Sequence, residues 1–381
     1  MLRKFSVKNY KNFQQVLTLN LSNVGGYRFN SDVVTNGIFT KLLIYGRNAT
    51  GKTNLGKAIT DIQRILFDTG IFDDDVFLNA DSEDETAEFI YEFDFDGNIL
   101  NYEYSVDANR TLCSEKLLLN GDSVFDIDFE NNSIEVNLKS INAETLVIDM
   151  YRRAVTENMD QEIDEKQLPF LRWLINNVAF DNESPLLKLN SYVRSMRMLS
   201  IRFATQRIPR IKLNRFYELL AGGDNLKQFE DFLNSMGVRC KLKMILLPDG
   251  SNELYFNHKV LVPFANNASS GTIALMNLYI SLILPAAKAS FFYLDEFDAF
   301  YHYEMSDCVI RYMKEHFPNC QIVMTTHNTN LMNNRLMRPD CLQILSSYGS
   351  LTALCDATER ELREGHNLEK MYISGEFMKY E

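Results

Sequence analysis

Lys41-Leu-Leu-Ile-Tyr-Gly46-Arg-Asn-Ala-Thr-Gly51-Lys52-Thr53-Asn54 is the stretch on which the reading of this chain turns. A compact apolar run comes first. An octet that fits GxxxxGK[ST] follows, and LGKAITDIQRILF continues with helical spacing. A short strand, a Gly-bounded loop and a helix form one unit. Glycines let backbone N–H groups curl around phosphate oxygens, and the helix points its positive end at the same anion. Lys52 would reach the β- and γ-phosphates of ATP, and the Thr53 hydroxyl would bind Mg²⁺. Gly46, Asn48, Ala49, Thr50, Gly51, Lys52, Thr53 and Asn54 are the candidate nucleotide ligands. The plain alternative is a Gly-rich turn with a surface lysine. The strand before the loop and the helix after it weigh against that.

Working outward, Phe291-Phe-Tyr-Leu-Asp295-Glu296 is a hydrophobic strand ending in two acids, as a Walker B element requires. A buried strand fixes such carboxylates at the C-terminal edge of a sheet, where α/β folds place ligands. Asp295 would bind Mg²⁺ through its water shell, and Glu296 would polarise the attacking water. Gln321-Ile-Val-Met-Thr-Thr-His327 is another apolar strand, ending in one histidine that can donate to a γ-phosphate or hold the water. In Ala268-Ser269-Ser270-Gly271-Thr272, hydroxyls and helix N-terminal amides offer a second anion site. On these residues alone, a simple N-cap is the better reading.

The remaining sequence sets the frame. The 381 residues are 46% hydrophobic and 24% charged, which describes a folded globular protein of one large or two medium units, and the alternation of helix and strand patterns over 268–345 predicts an α/β fold with a mostly parallel sheet. The net charge of −12 excludes general attraction to nucleic acid. Six scattered cysteines without CxxC spacing suit reduced thiols. No signal peptide follows the basic start, and the apolar stretch 273–287 is broken by Asn277, Ser281 and Pro285, so a cytoplasmic protein without a membrane span is expected. Alternation in 86–106 and the Asp96-Gly97 and Asn120-Gly121 turns predict an antiparallel β subdomain. This places an N-terminal lobe at 1–135, a helical insert at 136–240 and a C-terminal lobe at 241–381. Two short strands are expected between 240 and 262. The segment 184–217 carries Lys188, Arg194, Arg197, Arg202, Arg207, Arg210, Lys212 and Arg215 and no acid. It can pair with the acid-rich 68–96 segment, dock an acidic partner, or bind nucleic acid.

The order of P-loop, SSGT, Asp-Glu and strand-terminal His resembles ABC-type ATPases, in the soluble branch with SMC proteins, RecF and OLD-type ATPases. KNYKNF, the Asp-Glu-Phe-Asp-Ala-Phe-Tyr-His block and the Thr-Thr-His-Asn tail are similar to bacterial AAA-family ATPases of the RloA/AbiL kind, often associated with phage defence or restriction loci. The resemblance covers about 1–135 and 240–375. It implies a P-loop NTPase of the ABC-ATPase head type, with a mixed sheet, an antiparallel β subdomain and a helical insert. It also implies a composite site in a homodimer. Ser269, Ser270 and Gly271 of one copy would close on the γ-phosphate held by the other. Asp298 matches the D-loop position at the dimer contact, and His327 matches the switch histidine. Gln63 and Gln206 are poorly placed for the Q-loop glutamine of such proteins. No nuclease constellation is visible, so a sensor or scaffold controlling a separate nuclease-like effector is expected. A RecF-like DNA-binding ATPase is the alternative.

Overall fold

The computed structural model describes residues 1–69, 76–141, 149–153, 168–200, 210–282 and 289–381. The strands in chain order are β1 (Leu2–Lys8), β2 (Leu17–Asn20), β3 (Val34–Thr35), β4 (Ile38–Phe39), β5 (Lys41–Tyr45), β6 (Thr86–Phe95), β7 (Asn98–Asp107), β8 (Leu112–Leu119), β9 (Asp122–Asp128), β10 (Ser133–Val136), β11 (Arg197–Ser200), β12 (Leu242–Leu246), β13 (Asn252–Asn257), β14 (Leu261–Pro263), β15 (Phe291–Asp295), β16 (Gln321–Thr326), β17 (Leu342–Leu345) and β18 (Leu351–Ala353). The helices used below are α1 (Lys52–Thr60), α2 (Ile62–Phe67), α3 (Phe170–Asn177), α4 (Pro185–Arg194), α5 (Arg210–Ala221), α6 (Asn225–Ser235), α7 (Phe264–Asn267), α8 (Ser270–Leu282), α9 (Tyr303–His316) and α10 (Leu368–Ile373).

Two large sheets carry the fold. One runs β10-β9-β8-β7-β6-β1-β2 and is antiparallel throughout. Its alternation is the one read in the sequence. Phe89, Tyr91, Phe93, Leu100, Tyr102, Tyr104 and Val106 are buried, and Glu88 is exposed on the other face. The second sheet runs β11-β15-β16-β5-β17-β18, parallel except for β18. Every residue of β5, β15 and β16 is buried, as expected for parallel strands covered on both faces. The result is the expected α/β fold with mixed sheets.

Helix α1 joins the two sheets. From the antiparallel side, Tyr91 donates its hydroxyl to Ala58 O at 2.9 Å, and Tyr104 donates to Asp61 Oδ2 at 2.9 Å. From the parallel side, Tyr293 of β15 donates to Lys52 O at 2.5 Å, and its ring fills the space where a side chain on Gly56 would stand. Only glycine admits that approach. Gln321 at the start of β16 forms a second weld. Its amide donates to Leu2 O (2.8 Å) and Phe39 O (3.2 Å), while its oxygen accepts from Leu2 N (2.8 Å) and the Tyr192 hydroxyl (2.5 Å). A buried amide with all four bonds made fixes one sheet against the other.

Two expectations change. Residues 242–263 form three strands, β12 to β14, because the Asn257–Val260 turn splits the second apolar run. The segment expected to be a helical insert supplies β11, the edge strand of the parallel sheet, beside α3 to α6. Four residues without alternation gave no period to read. All six cysteines are free. Among the described residues, no helix is long and apolar enough to cross a membrane.

Candidate nucleotide site

Parallel pairing brings the separated motifs to one edge. β5 pairs with β16 so that Tyr45 lies beside Thr326, β16 pairs with β15, and β11 pairs with β15 so that Ser200 lies beside Asp295. The C-terminal ends of these strands therefore carry the P-loop, Asp295-Glu296, Thr326-His327 and Ser200 side by side, where open α/β sheets place ligands.

The P-loop is held from within and from outside. Gly51 has φ of +98°, a region costly for residues with a Cβ, and a Cβ there would strike the Asn12 side chain. Asn12 donates to Thr50 O at 3.0 Å and accepts from Asn54 Nδ2 at 2.7 Å, so it clamps the loop to the first turn of α1. Ala49 also takes positive φ, +66°; Asn48 and Ala49 form the exposed tip. Thr50 is buried and donates to Arg47 O at 3.1 Å. Lys52 Nζ donates to Gly46 O (2.7 Å) and Arg47 O (2.9 Å), inside the curve of the loop.

Asp295 is completely buried, and hydroxyls from three elements donate to it. Thr53 Oγ1 is 2.8 Å and Ser200 Oγ 3.1 Å from Oδ2, and Thr325 Oγ1 is 3.0 Å from Oδ1. Thr325 Oγ1 also accepts from Glu296 N at 2.7 Å, and Phe297 N donates to Thr325 O at 3.2 Å. These bonds hold Glu296 at φ +50°, a left-handed conformation that costs a non-glycine residue about 1–2 kcal/mol. The strained backbone turns the Glu296 carboxylate toward His327, whose Nε2 lies 3.5 Å from Glu296 Oε1. Both side chains are partly exposed, so the pair faces solvent at the mouth of the site.

The donor set suits Mg²⁺. A hydroxyl and a carboxylate 2.8 Å apart are hard oxygen ligands, and Mg²⁺ characteristically takes one or two protein oxygens and fills its shell with phosphate and water. Among the described residues no group of three or more His, Cys, Asp or Glu side chains is placed to hold a metal ion.

Asp298 is half-buried and accepts from Thr326 Oγ1 at 2.7 Å; burial raises its pKa above the usual carboxylate range. Ser269, Ser270 and Gly271 lie at the start of α8. Ser269 Oγ accepts from Thr272 N at 3.2 Å, an N-cap on α8, and the two serines are exposed. They adjoin the turn after Glu296, since a Cβ on Gly271 would come within 2.9 Å of Phe300 O. Thus the start of α8 lies against the Phe300 end of the segment that follows Glu296 and contains Asp298. Gln63 is engaged elsewhere, donating to Val193 O and Met196 O, while Gln206 lies outside the described residues. In the basic segment, Lys188 pairs with Asp96 at 2.8 Å, as the pairing reading expected. Arg202 and Arg207 lie outside the described residues.

Asn12, Ser200 and Thr325 were not picked out by sequence reading. Thr325 had a signal, a polar residue at the end of an apolar strand. Ser200 had none, because its role depends on the β11–β15 pairing.

The family described as "AAA domain, putative AbiEii toxin, Type IV TA system" matches residues 42–333, from the P-loop strand to just beyond His327. The chain belongs to this AAA-domain family. No curated protein matches it. Among solved structures, the SMC head domain from Thermotoga maritima is similar at 15% identity and a TM-score of 0.45, covering 92% of this chain and 98% of that one. An Smc head domain with an extended coiled coil, bound to the C-terminal domain of ScpA from Pyrococcus furiosus, gives 16% and 0.47, with 99% of each chain covered. An SmcHead bound to the C-winged helix domain of ScpA gives 17% and 0.44, with 86% and 89% covered.

Proposed function

We propose that this AAA-domain chain is a Mg²⁺-dependent ATPase that pairs with a second copy when ATP binds. The closure acts as a sensor or scaffold switch on a separately encoded, nuclease-like effector in bacterial anti-phage defence, in the cytoplasm. The RloA/AbiL-like motifs support this place within the family. The family description, which names a putative toxin of a type IV toxin–antitoxin system, supports a two-partner arrangement.

The observation that carries the catalytic part is the meeting of Thr53, Asp295, Glu296 and His327 at one sheet edge, with Thr53 Oγ1 2.8 Å from Asp295 Oδ2. Each residue has a defined task. Lys52 leaves the loop carbonyls to hold the terminal phosphates, and the P-loop amides hold the rest. Thr53 and Asp295 hold Mg²⁺, which when bound neutralises charge on the phosphate oxygens. Glu296 orients and polarises the attacking water, and His327 steadies that water or donates to the γ-phosphate. Ser269, Ser270 and Gly271 come from the second copy, with Asp298 at the contact between copies. The exposure of Ser269 and Ser270, and the close approach of Gly271 to Phe300, support that placement.

Glu296→Gln tests this reading. The variant should bind ATP, lose turnover by about 10²-fold or more, and accumulate as an ATP-dependent dimer in light scattering. Full turnover in the variant removes Glu296 from its role. A strictly single species with saturating ATP sinks the pairing.

A further inference from the structure

Behind α1, at the open edge of the parallel sheet, lies a cavity of about 430 Å³ that the nucleotide site does not use. It is lined by α2, the turn from α4 into β11, and α8. Arg194 and Arg197 both face it, and among the described residues no carboxylate does. Neither guanidinium has a carboxylate partner among the described residues, and Arg197 Nε is buried with no hydrogen-bond partner. In a chain of net charge −12, two guanidiniums in one concave site, with no carboxylate partner among the described residues, mark a place for an anion.

The arginines are held in place. The Arg194 guanidinium lies over the Phe67 ring at 4.7 Å. Gln63 Nε2 donates to Val193 O (2.9 Å) and Met196 O (3.1 Å), bracing the turn that carries both arginines. The floor is different in kind: Met198 and Ile280 are apolar and partly exposed, with the wholly buried Phe292 behind them. The volume falls within the range of small-molecule sites.

We infer that this cavity is a second nucleotide-binding site, distinct from the P-loop, with the phosphate on Arg194 and Arg197 and the base on the apolar floor. The guanidinium fork matches phosphate oxygens in pairs. Bare phosphate would leave the floor uncovered, and an uncharged apolar ligand would leave Arg197 Nε unpaired. The nucleotide can be free or part of a nucleic-acid strand, and the experiment separates these sources.

The full chain is first saturated with a non-hydrolysable ATP analogue and Mg²⁺, then titrated calorimetrically with AMP, UMP, inorganic phosphate or a single-stranded trinucleotide. Arg197→Met and Arg194→Met are the variants. Arg194 is exposed, so its replacement tests the pocket even if Arg197→Met folds poorly. A mononucleotide should bind once per chain beside the analogue, and each variant should weaken it about 10- to 100-fold. Binding by the trinucleotide alone, weakened in the variants, assigns the site to a strand. Equal affinity in the variants, no nucleotide binding, or phosphate binding as tightly as nucleotide overturns the proposal. Failure of the first saturation step would instead count against the P-loop reading, so the two are distinguishable.

Discussion

Asp295 and Glu115 are both wholly buried, and each accepts hydrogen bonds from three donors, yet those donors differ in kind. The donors to Asp295 are hydroxyls of Thr53, Ser200 and Thr325, from α1, β11 and β16. Hydroxyls rotate, so the carboxylate can release one and take a cation instead. The donors to Glu115, in the middle of β8, are Phe170 N (2.6 Å), Leu171 N (3.0 Å) and the Tyr102 hydroxyl (2.8 Å). Two of these are backbone amides at the start of α3, fixed by the helix itself. Burial and hydrogen-bond number therefore do not mark a functional carboxylate. On the proposed reading, what sets Asp295 apart is its place at an open strand end, with donors that can turn away.

The sharpest break in this comparison is Asp295→Asn. The amide keeps the shape, and the surrounding hydroxyls can turn to accept from it, so the melting temperature should move little. Mg²⁺-dependent ATP turnover should fall about 10²- to 10³-fold. A titration of turnover against Mg²⁺, paired with a thermal melt, measures both. Retained turnover would place the metal ligand elsewhere.

Glu115→Ala should do the reverse. Truncation leaves three donors without an acceptor inside the core, which costs about 3 kcal/mol of stability. Urea unfolding measures that loss, while ATP affinity per folded molecule should be unchanged, since β8 lies in the antiparallel sheet, paired with β7 and β9, and not in the sheet whose strand ends carry the site. A loss of affinity without a loss of stability would make Glu115 part of the site and end the contrast.

The same contrast explains how much could be read from sequence. The P-loop, Asp295-Glu296 and the aromatic hairpin were legible because each is local, a motif or a period within a dozen residues. The cluster around Asp295 was not. Ser200 reaches it from 95 residues away through a four-residue edge strand, and Thr325, although a polar residue closing an apolar strand, gave no sign of which group it would meet. Glu115 was also invisible, because it occupies a core-facing position of a strand whose neighbours Leu117 and Leu119 are apolar. Its acceptor role appears only when α3 packs against β8. Local chemistry shows in sequence, whereas chemistry assembled across pairing strands requires the pairing to be known.

Glu115 also permits the smallest and most discriminating measurement, because two effects on it oppose each other. Burial pushes its pKa from the ordinary 4.5 up to about 7, and the three donors restrain that rise by favouring the charged form. If burial dominates, the native state holds the proton more tightly than the unfolded chain does. The stabilising contribution is then complete below about 4.5 and is lost as pH rises through about 7. Between pH 6 and 8 the stability difference between the native protein and Glu115→Gln, which cannot titrate, should shrink by roughly 1 kcal/mol. Urea midpoints at several pH values, taken for both proteins, isolate this group from every other titration in the chain. A difference that stays flat between pH 6 and 8 and instead falls as pH drops below about 4.5 would show that the helix amides and the Tyr102 hydroxyl outweigh burial, and that Glu115, like Asp295, is held as a carboxylate.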